Sequence, residues 1–392
     1  MIYTDYQDKK LPLLGFGTMR LPVTESGAID QEHLEKMVKA AMQNGVNYFD
    51  TAYPYHVGQS EIAIGRALRK YPRESWLLAD KFPGHQILSS YEPAGVFEDQ
   101  LKKCGVDYFD FYLLHNVYET SMPTYLDPKW GILDYFKEQK RLGRIKHLGF
   151  SSHGTAANLR AFLEVAGKDM EFCQIQLNWL DWTLQNAREK VEILKEFNIP
   201  VWVMEPLRGG KLCKLPEKAD SALKALRPDE TIPAWSFRYL QGIDNVQMVL
   251  SGMSTLEQMN ENIASFAERR PLDPRETETL YAIAEELKDS VPCTACRYCT
   301  PHCPMGLDIP ALLALYNEIR LNPAVNVGMR VEAMGPEQQP SVCIGCGACA
   351  QICPQSIKIP ECMKDFAATM EKIPSWAEIC RQRDEAQRAL KK

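Results

Sequence analysis

Along residues 1–270, short runs of apolar, β-branched and aromatic residues alternate with stretches whose apolar positions recur at helical intervals. The strand-like runs are 13–17 (LLGFG), 47–51 (NYFDT), 75–81 (SWLLADK), 108–115 (YFDFYLLH), 144–152 (RIKHLGFSS), 172–178 (FCQIQLN), 200–206 (PVWVMEP) and 246–252 (VQMVLSG). Between them lie helical patterns such as 33–44 (HLEKMVKAAMQN), 60–70 (SEIAIGRALRK), 187–197 (AREKVEILKEF) and 254–266 (STLEQMNENIASF). Near-continuous apolar strands alternating with helices predict an α/β fold with a parallel sheet covered on both faces. Eight such units in roughly 250 residues fit a closed (β/α)8 TIM barrel. A doubly wound sheet would want a G-x-G-x-x-G turn after the first strand, and Gly15-Phe16-Gly17-Thr18-Met19-Arg20 lacks the third glycine. The pattern then changes. Residues 309–321 and 375–390 carry helical spacing without strand alternation, which predicts a smaller α-helical domain. The expected division is 1–270 for the barrel and 271–392 for the helical part.

Composition supports that division. A chain of 392 residues exceeds one ordinary core. Its net charge of −6, with no block of lysine or arginine, argues against nucleic acid and anionic membrane as partners. Residues 1–10 lack the charged-then-apolar pattern of a signal peptide, and no apolar run reaches spanning length, so a soluble cytoplasmic protein is expected. Thirteen cysteines are many for such a chain, yet only Cys104, Cys173 and Cys213 fall before residue 293. The remainder crowd into the last hundred residues, and the boundary is expected within 270–289.

Eight of those cysteines form two runs of one spacing: Cys293, Cys296, Cys299 and Cys303 before Pro304, then Cys343, Cys346, Cys349 and Cys353 before Pro354. The C-x2-C-x2-C-x3-C-P spacing matches the run of bacterial ferredoxins, and two runs imply two 4Fe–4S clusters. In two-cluster ferredoxins the fourth cysteine serves the other cluster. That assigns Cys293, Cys296, Cys299 and Cys353 to one centre and Cys343, Cys346, Cys349 and Cys303 to the other. Gly345 and Gly347 would let the loop close around inorganic sulfide. Structural zinc, which uses paired C-x-x-C units, fits two runs of four poorly. Cys362 and Cys380 lie outside both runs and read as ordinary thiols.

In a barrel of this kind, chemistry belongs at the carboxyl ends of the strands. Asp50 ends the second strand, Lys81 the third and His115 the fourth, and Tyr55 follows Asp50 on the loop over the same mouth. Each has a bland reading: Asp50 as a turn cap, His115 as a satisfied strand-end histidine. Tyr53 competes with Tyr55, and spacing favours Tyr55. His56 and His153 read as substrate-facing or solvent-exposed.

These residues resemble the aldo/keto reductase family over nearly all of 1–268. The motifs are Phe49-Asp50-Thr51-Ala52 with Tyr55, Ser60-Glu61, Lys81, Leu113-Leu114-His115, Gly149-Phe150-Ser151-Ser152, Gln174-Ile175-Gln176, Glu205-Pro206-Leu207 and Glu261-Asn262. With its cysteine-rich tail, the whole chain is similar to an iron–sulfur-containing branch of that family. The resemblance implies hydride exchange between a nicotinamide and a carbonyl or alcohol carbon, with Tyr55 protonating the alkoxide. Lys81 would lower the Tyr55 pKa, Asp50 would keep Lys81 charged, and His115 would donate to the substrate oxygen. It also implies cofactor contacts at Thr18, Ser151, Ser152, Gln174, Met204, Pro206, Leu207, Gly252, Ser254, Thr255, Gln258, Glu261 and Asn262.

Two departures bear on that cofactor. Gly252 and Gln258 stand where the family usually carries a lysine and an arginine for the NADP 2′-phosphate, so NADP and NAD both stay open. What remains there is Ser254-Thr255-Leu256-Glu257, read as a capping box whose N–H groups could receive phosphate. Met204 stands where an aromatic residue normally stacks on nicotinamide. The clusters add a further question, because a hydride carries two electrons and each cluster normally one. Flavin is the usual converter and stays open as a cofactor.

Three functions follow. The clusters pass electrons between the barrel and a ferredoxin-like carrier; or the barrel works alone beside a sensing or stabilising tail; or the chain is mainly an electron-transfer protein whose barrel docks a redox partner. Candidate pocket walls are Thr18, Met19, Arg20, Tyr53, Trp179, Trp182 and Arg208, with a surface salt bridge the simpler reading of Arg208.

Overall fold

The computed structural model describes residues 1–7, 9–84, 92–287, 291, 293, 297, 299–321, 325–353 and 357–390. The chain divides into two compact units, Met1–Leu280 and Tyr281–Lys392. The helix Pro274–Leu287 runs across this division.

The first unit is a closed parallel barrel with helices outside. Its strands are β3 (Leu14–Gly17), β4 (Tyr48–Asp50), β5 (Leu77–Phe82), β6 (Phe109–Leu114), β7 (Ile145–Ser152), β8 (Cys173–Gln176), β9 (Val201–Met204) and β10 (Val246–Gly252), with β10 closing on β3. All eight strand-like runs of the sequence are these strands. An antiparallel hairpin, β1 (Tyr3–Tyr6) and β2 (Lys9–Pro12), precedes them and was not anticipated. Its half-exposed, lysine-bearing strands lack the apolar run that marks the others. Tyr6 and Leu11 from this hairpin join one buried cluster with Tyr48, Ala79, Phe111, Leu113, Phe172, Trp202, Met248 and Leu250. Within it Trp202 lies 4.6 Å from Phe172 and 5.1 Å from Tyr6 between ring centroids.

Strand side chains alternate, so the inward ladder continues in steps of two. Tyr48 is followed inward by Asp50, Ala79 by Lys81, and Leu113 by His115. The registers Gly17 with Asp50, Asp50 with Ala79, and Lys81 with Leu113 bring these ends to one rim. Farther round, Ser151 lies opposite Gln174, Gln176 opposite Met204, and Gly252 opposite Gly17.

The second unit is helical: Ile309–Leu321, Val325–Glu332, Ala348–Gln351, Ile359–Met370 and Trp376–Leu390, with no strand among its described residues. Leu312, Leu313, Ile319, Val327, Met363 and Phe366 form its core, and Cys299 and Cys349 are buried in the same cluster. The helices expected over 309–321 and 375–390 are both present.

Candidate active site

Lys81 and Asp50 form the centre of the barrel mouth. The Lys81 ammonium donates to Asp50 Oδ1 and to the Thr51 carbonyl, both at 2.6 Å, and both side chains are shielded from solvent. Burial works against the charge on Lys81, but Asp50 and Tyr55 together hold its pKa above the ordinary value. Asp50 is pushed up by the same burial, with Lys81 opposing. Asp50 Oδ2 is buried with no donor among the described residues.

Tyr55 joins this pair, and Tyr53 does not. The Lys81 nitrogen lies 5.1 Å from the Tyr55 ring centre, and His115 meets that ring edge-on at 6.1 Å. Tyr53 instead faces outward under the Lys103 ammonium, 3.9 Å from its ring centre. Burial raises the Tyr55 phenol above its ordinary value, outweighing the Lys81 ammonium, which pulls it down. The sequence identifies the charged neighbours, whereas the desolvation that wins depends on the closed wall around them.

A shell of polar contacts holds the strand ends. Thr18 Oγ1 donates to the Asp50 carbonyl at 2.9 Å, and Ser60 Oγ donates to Thr18 Oγ1 at 2.7 Å while lying 3.0 Å from Thr51 Oγ1. Asp80 points outward from β5, yet its Oδ1 accepts the Lys81 backbone N–H at 2.8 Å. Gln100 donates to the Lys81 carbonyl at 3.0 Å. The main chain of Lys81 is thus gripped from both sides. His115 is fixed through its backbone, its N–H donating to Phe82 at 3.0 Å and its carbonyl accepting from Tyr125 at 2.6 Å.

The remaining rim residues divide by their contacts. Ser151 Oγ accepts the Asn116 N–H at 2.8 Å, and Ser152 Oγ accepts that of Gly154 at 3.1 Å. Gln174 is buried, and its Oε1 has no donor among the described residues. That orphan acceptor at the mouth suits an amide N–H of a ligand. Met204 is partly exposed at the end of β9, followed by buried Pro206 and partly exposed Leu207. Asn262 is committed to Ser251 Oγ at 3.0 Å, whereas Glu261 lines a separate cavity with Arg227, Glu230, Arg238 and Arg270.

The cap at the last barrel helix sits one residue later than the sequence suggested. Thr255, not Ser254, caps Leu256–Ser265 by accepting the Gln258 N–H at 3.2 Å, and Gln258 reaches back to the Ser254 N–H at 2.8 Å. Ser254 Oγ donates to the Arg20 carbonyl at 2.8 Å. A Cβ on Gly252 would stand 3.6–3.8 Å from the Arg20 side chain. Arg20 therefore lies along the position that lacks a lysine, and it pairs with Glu205 at 3.2 Å. Arg208 is no surface residue: it is 3% exposed, pairs with fully buried Asp181 at 3.1 Å, and keeps Nη1 without an acceptor among the described residues. Trp179 is core, donating to Ser236 at 2.9 Å.

In the second unit, Cys303, Cys343, Cys346 and Cys349 line one pocket together with His302, Met305 and Ile344. This grouping unites the fourth cysteine of the first run with three of the second. Gly345 and Gly347 take φ of +71° and +79°, the left-handed conformation that glycine adopts without strain. Burial and the neighbouring Cys343 and Cys346 thiols push Cys349 up to about 11. Cys293 and Cys353 pack against the same core as Cys299, and Cys296 lies outside the described residues. Among the described residues no three His, Cys, Asp or Glu side chains are grouped so as to hold a single metal ion. No described helix is long and apolar enough to cross a membrane.

Residues 13–285 match the family model described as the aldo/keto reductase family, and residues 292–357 match that of a 4Fe-4S dicluster domain. The chain is 24% identical over 311 residues to an NADH-specific methylglyoxal reductase of Escherichia coli, covering 66% of this chain and 93% of that protein. It is 30% identical over 226 residues to a probable aldo-keto reductase of Glycine max, covering 54% and 62%. Among solved structures, an aldo-keto reductase from Bacillus halodurans in its holo form superposes with a TM-score of 0.58 at 24% identity, over 72% of this chain and 96% of that one. One from Klebsiella pneumoniae in complex with NADPH gives 0.57 at 18%, with the same coverage of 72% and 96%.

Replacing Asp50 by asparagine leaves the Lys81 ammonium buried without its counter-charge. The expected loss of barrel stability is about 3–5 kcal/mol, read by denaturant unfolding near neutral pH. A loss below about 1 kcal/mol, the range of an exposed pair, would show that the pair is not the buried one described.

Proposed function

Because this chain belongs to the aldo/keto reductase family and is an oxidoreductase joined to a 4Fe–4S domain, we propose that its barrel mouth interconverts a small carbonyl compound and its alcohol with a nicotinamide dinucleotide. The carrying observation is the buried Lys81–Asp50 pair with Tyr55 and His115 at one rim. When bound, the nicotinamide supplies or receives the hydride. The chain's own residues manage the proton. Tyr55 donates its phenol proton to the oxygen that gains negative charge. Lys81, kept charged by Asp50, stabilises the phenolate left behind. His115 donates a hydrogen bond to the same substrate oxygen. Ser151, Ser152 and the orphan Oε1 of Gln174 suit the carboxamide, with Thr18, Met204, Pro206 and Leu207 around the ring and ribose. The spare donor of Arg208, the Arg20 guanidinium and the helix start at Ser254 and Thr255 suit the phosphates.

The adenosine end favours NADH. Gly252 and Gln258 place no charge where a 2′-phosphate would sit, and Arg20 is engaged by Glu205. Glu261 and Asn262 lie farther along the same helix. The name of the Escherichia coli relative, which marks it NADH-specific, points the same way. Methylglyoxal, from that name, is a reasonable first probe of substrate.

The cysteine unit supports a second reading, in which the chemistry couples to electron transfer. Cys303, Cys343, Cys346 and Cys349, which line one pocket, would hold one 4Fe–4S cluster, and Cys293, Cys296, Cys299 and Cys353 would hold another. Cys346 is exposed, which suits exchange with a ferredoxin-like carrier. A flavin would have to convert between electron pair and single electrons. Analysis of anaerobically purified protein for iron, sulfide and released cofactor separates these readings, about eight irons per chain being expected.

Tyr55→Phe should abolish reduction of methylglyoxal while iron content and the visible cluster spectrum stay unchanged; near-normal turnover would end the assignment. Because burial holds the Tyr55 phenol above its ordinary value, the donor form persists through neutral pH. Reductive kcat should therefore stay flat from about pH 7 to 9 and decline only above about 10, while alcohol oxidation, which needs the phenolate, rises with pH throughout. A reductive decline already complete by about pH 8 would contradict that order.

Paired Gly252→Lys and Gln258→Arg substitutions should raise the NADPH-to-NADH ratio of kcat/KM by about tenfold or more, the effect of a new charge-assisted phosphate contact. An unchanged ratio would mean that the adenosine ribose lies elsewhere.

A further inference from the structure

Tyr55 opens a backbone turn of unusual shape. His56 sits at φ 48°, ψ 43° and Val57 at φ 56°, ψ 37°, followed by Gly58 at φ 81°. Three successive left-handed residues are rare, and two of these carry side chains. A β-branched valine is the least tolerant occupant. Each such residue costs of order 1–3 kcal/mol, and it persists only where its surroundings over-determine it.

The His56 imidazole supplies the determination. Its Nε2 accepts the Leu21 backbone N–H at 3.0 Å, and the ring also interacts with the Met19 main chain. Both partners lie directly beyond Thr18, whose hydroxyl holds the Asp50 carbonyl. One ring thus ties the turn bearing Tyr55 to the segment that leaves β3 for the cofactor side of the mouth. Only the neutral Nδ1–H tautomer accepts the Leu21 N–H, because imidazolium has no acceptor nitrogen. Burial holds the His56 pKa below its ordinary value, so the ring is neutral at pH 7. The charged groups on the elements packed around it are engaged elsewhere or point away. Arg20, on the Thr18–Arg20 segment, pairs with Glu205, and Glu61, on the helix Ser60–Leu68, pairs with Lys103. Arg66 on that helix is exposed, and His115 faces Tyr55 from β6.

We propose that His56 is a positioning residue whose neutral imidazole, bridging Met19 and Leu21, holds the strained turn that presents Tyr55 to Lys81, and that protonating it releases the turn. The proposal rests on Tyr55 as the proton donor. It makes His56 the origin of an acid limb in turnover. As pH falls, the ring gains a proton, the Leu21 N–H loses its acceptor, and the stored strain favours a relaxed turn. The loss therefore lies below the ordinary histidine value near 6.5.

The test uses full-length, cluster-loaded protein with methylglyoxal and NADH or NADPH. His56→Ala should lower kcat at pH 7 by about tenfold to hundredfold, the scale of a misplaced reacting group, with little change in KM and no acid limb. Val57→Gly, which relieves strain and keeps the tether, should retain kcat at pH 7 and weaken the acid limb. Nitrogen-15 NMR of labelled histidines in the wild type should show His56 neutral and Nδ1-protonated at pH 7, titrating with the acid limb; this decides the matter if the alanine variant does not fold. Wild-type kcat with an unchanged limb in His56→Ala, or a His56 ring charged at pH 7, overturns the proposal. A wild type that turns over no carbonyl defeats the reading of Tyr55 instead, and the NMR titration still decides whether the tether exists.

Discussion

An ammonium and a carboxylate, 2.6 Å apart and both out of reach of water, set the terms for the rest of the barrel mouth. Burying two charges costs several kcal/mol each, and their attraction offsets that only when geometry is tight and remaining hydrogen-bonding groups are satisfied. Lys81 meets the requirement by donating also to the Thr51 carbonyl. The surrounding shell exists to keep that geometry. Thr18, Ser60 and Thr51 knit the ends of β3 and β4 to the helix behind them, while Asp80 and Gln100 clamp the backbone of Lys81 from outside. Tyr55 then sits beside a fixed positive charge in a poorly solvated wall.

Much of this was legible in the sequence because strand periodicity carries it. Once residues 47–51, 75–81 and 108–115 are read as parallel strands, a step of two places Asp50, Lys81 and His115 one layer above the core residues Tyr48, Ala79 and Leu113. Tyr55 rather than Tyr53 followed from spacing. What escaped was set through space. The hairpin that includes Tyr6 and Leu11 has no apolar run of its own, and its burial comes from the barrel it joins. Arg20 beside Gly252, Arg208 with Asp181, and His56 with Leu21 join segments distant in sequence, and no local pattern announces them. The rise of the Tyr55 pKa escaped for the same reason: neighbours are visible in a sequence, while loss of solvent is a property of the closed wall.

The helical unit follows a different logic, in which covalent spacing does most of the work. Ligands two residues apart need a tight loop, and the left-handed Gly345 and Gly347 provide it. The return of Cys303 to the cavity of Cys343, Cys346 and Cys349 is tertiary, made by the packing of helices Ile309–Leu321 and Ile359–Met370 around one apolar core. Burial, more than the neighbouring Cys343 and Cys346 thiols, raises Cys349, and binding a metal at thiols couples to their deprotonation. An aldo/keto reductase barrel and a 4Fe–4S dicluster domain thus share one chain.

Which chemistry delivers reducing equivalents to the carbonyl is decided by following the hydrogen. NADH and NADPH deuterated at the reactive nicotinamide carbon, each face labelled separately, are supplied with methylglyoxal in ordinary water, and the product is read by mass spectrometry and NMR. Direct transfer at the Tyr55–Lys81 mouth predicts deuterium on the new carbinol carbon from one labelled face only, with the oxygen-bound proton coming from solvent. A product whose carbinol hydrogen comes from water, with the label lost to solvent, would contradict it and place the electrons on a route through the iron–sulfur unit.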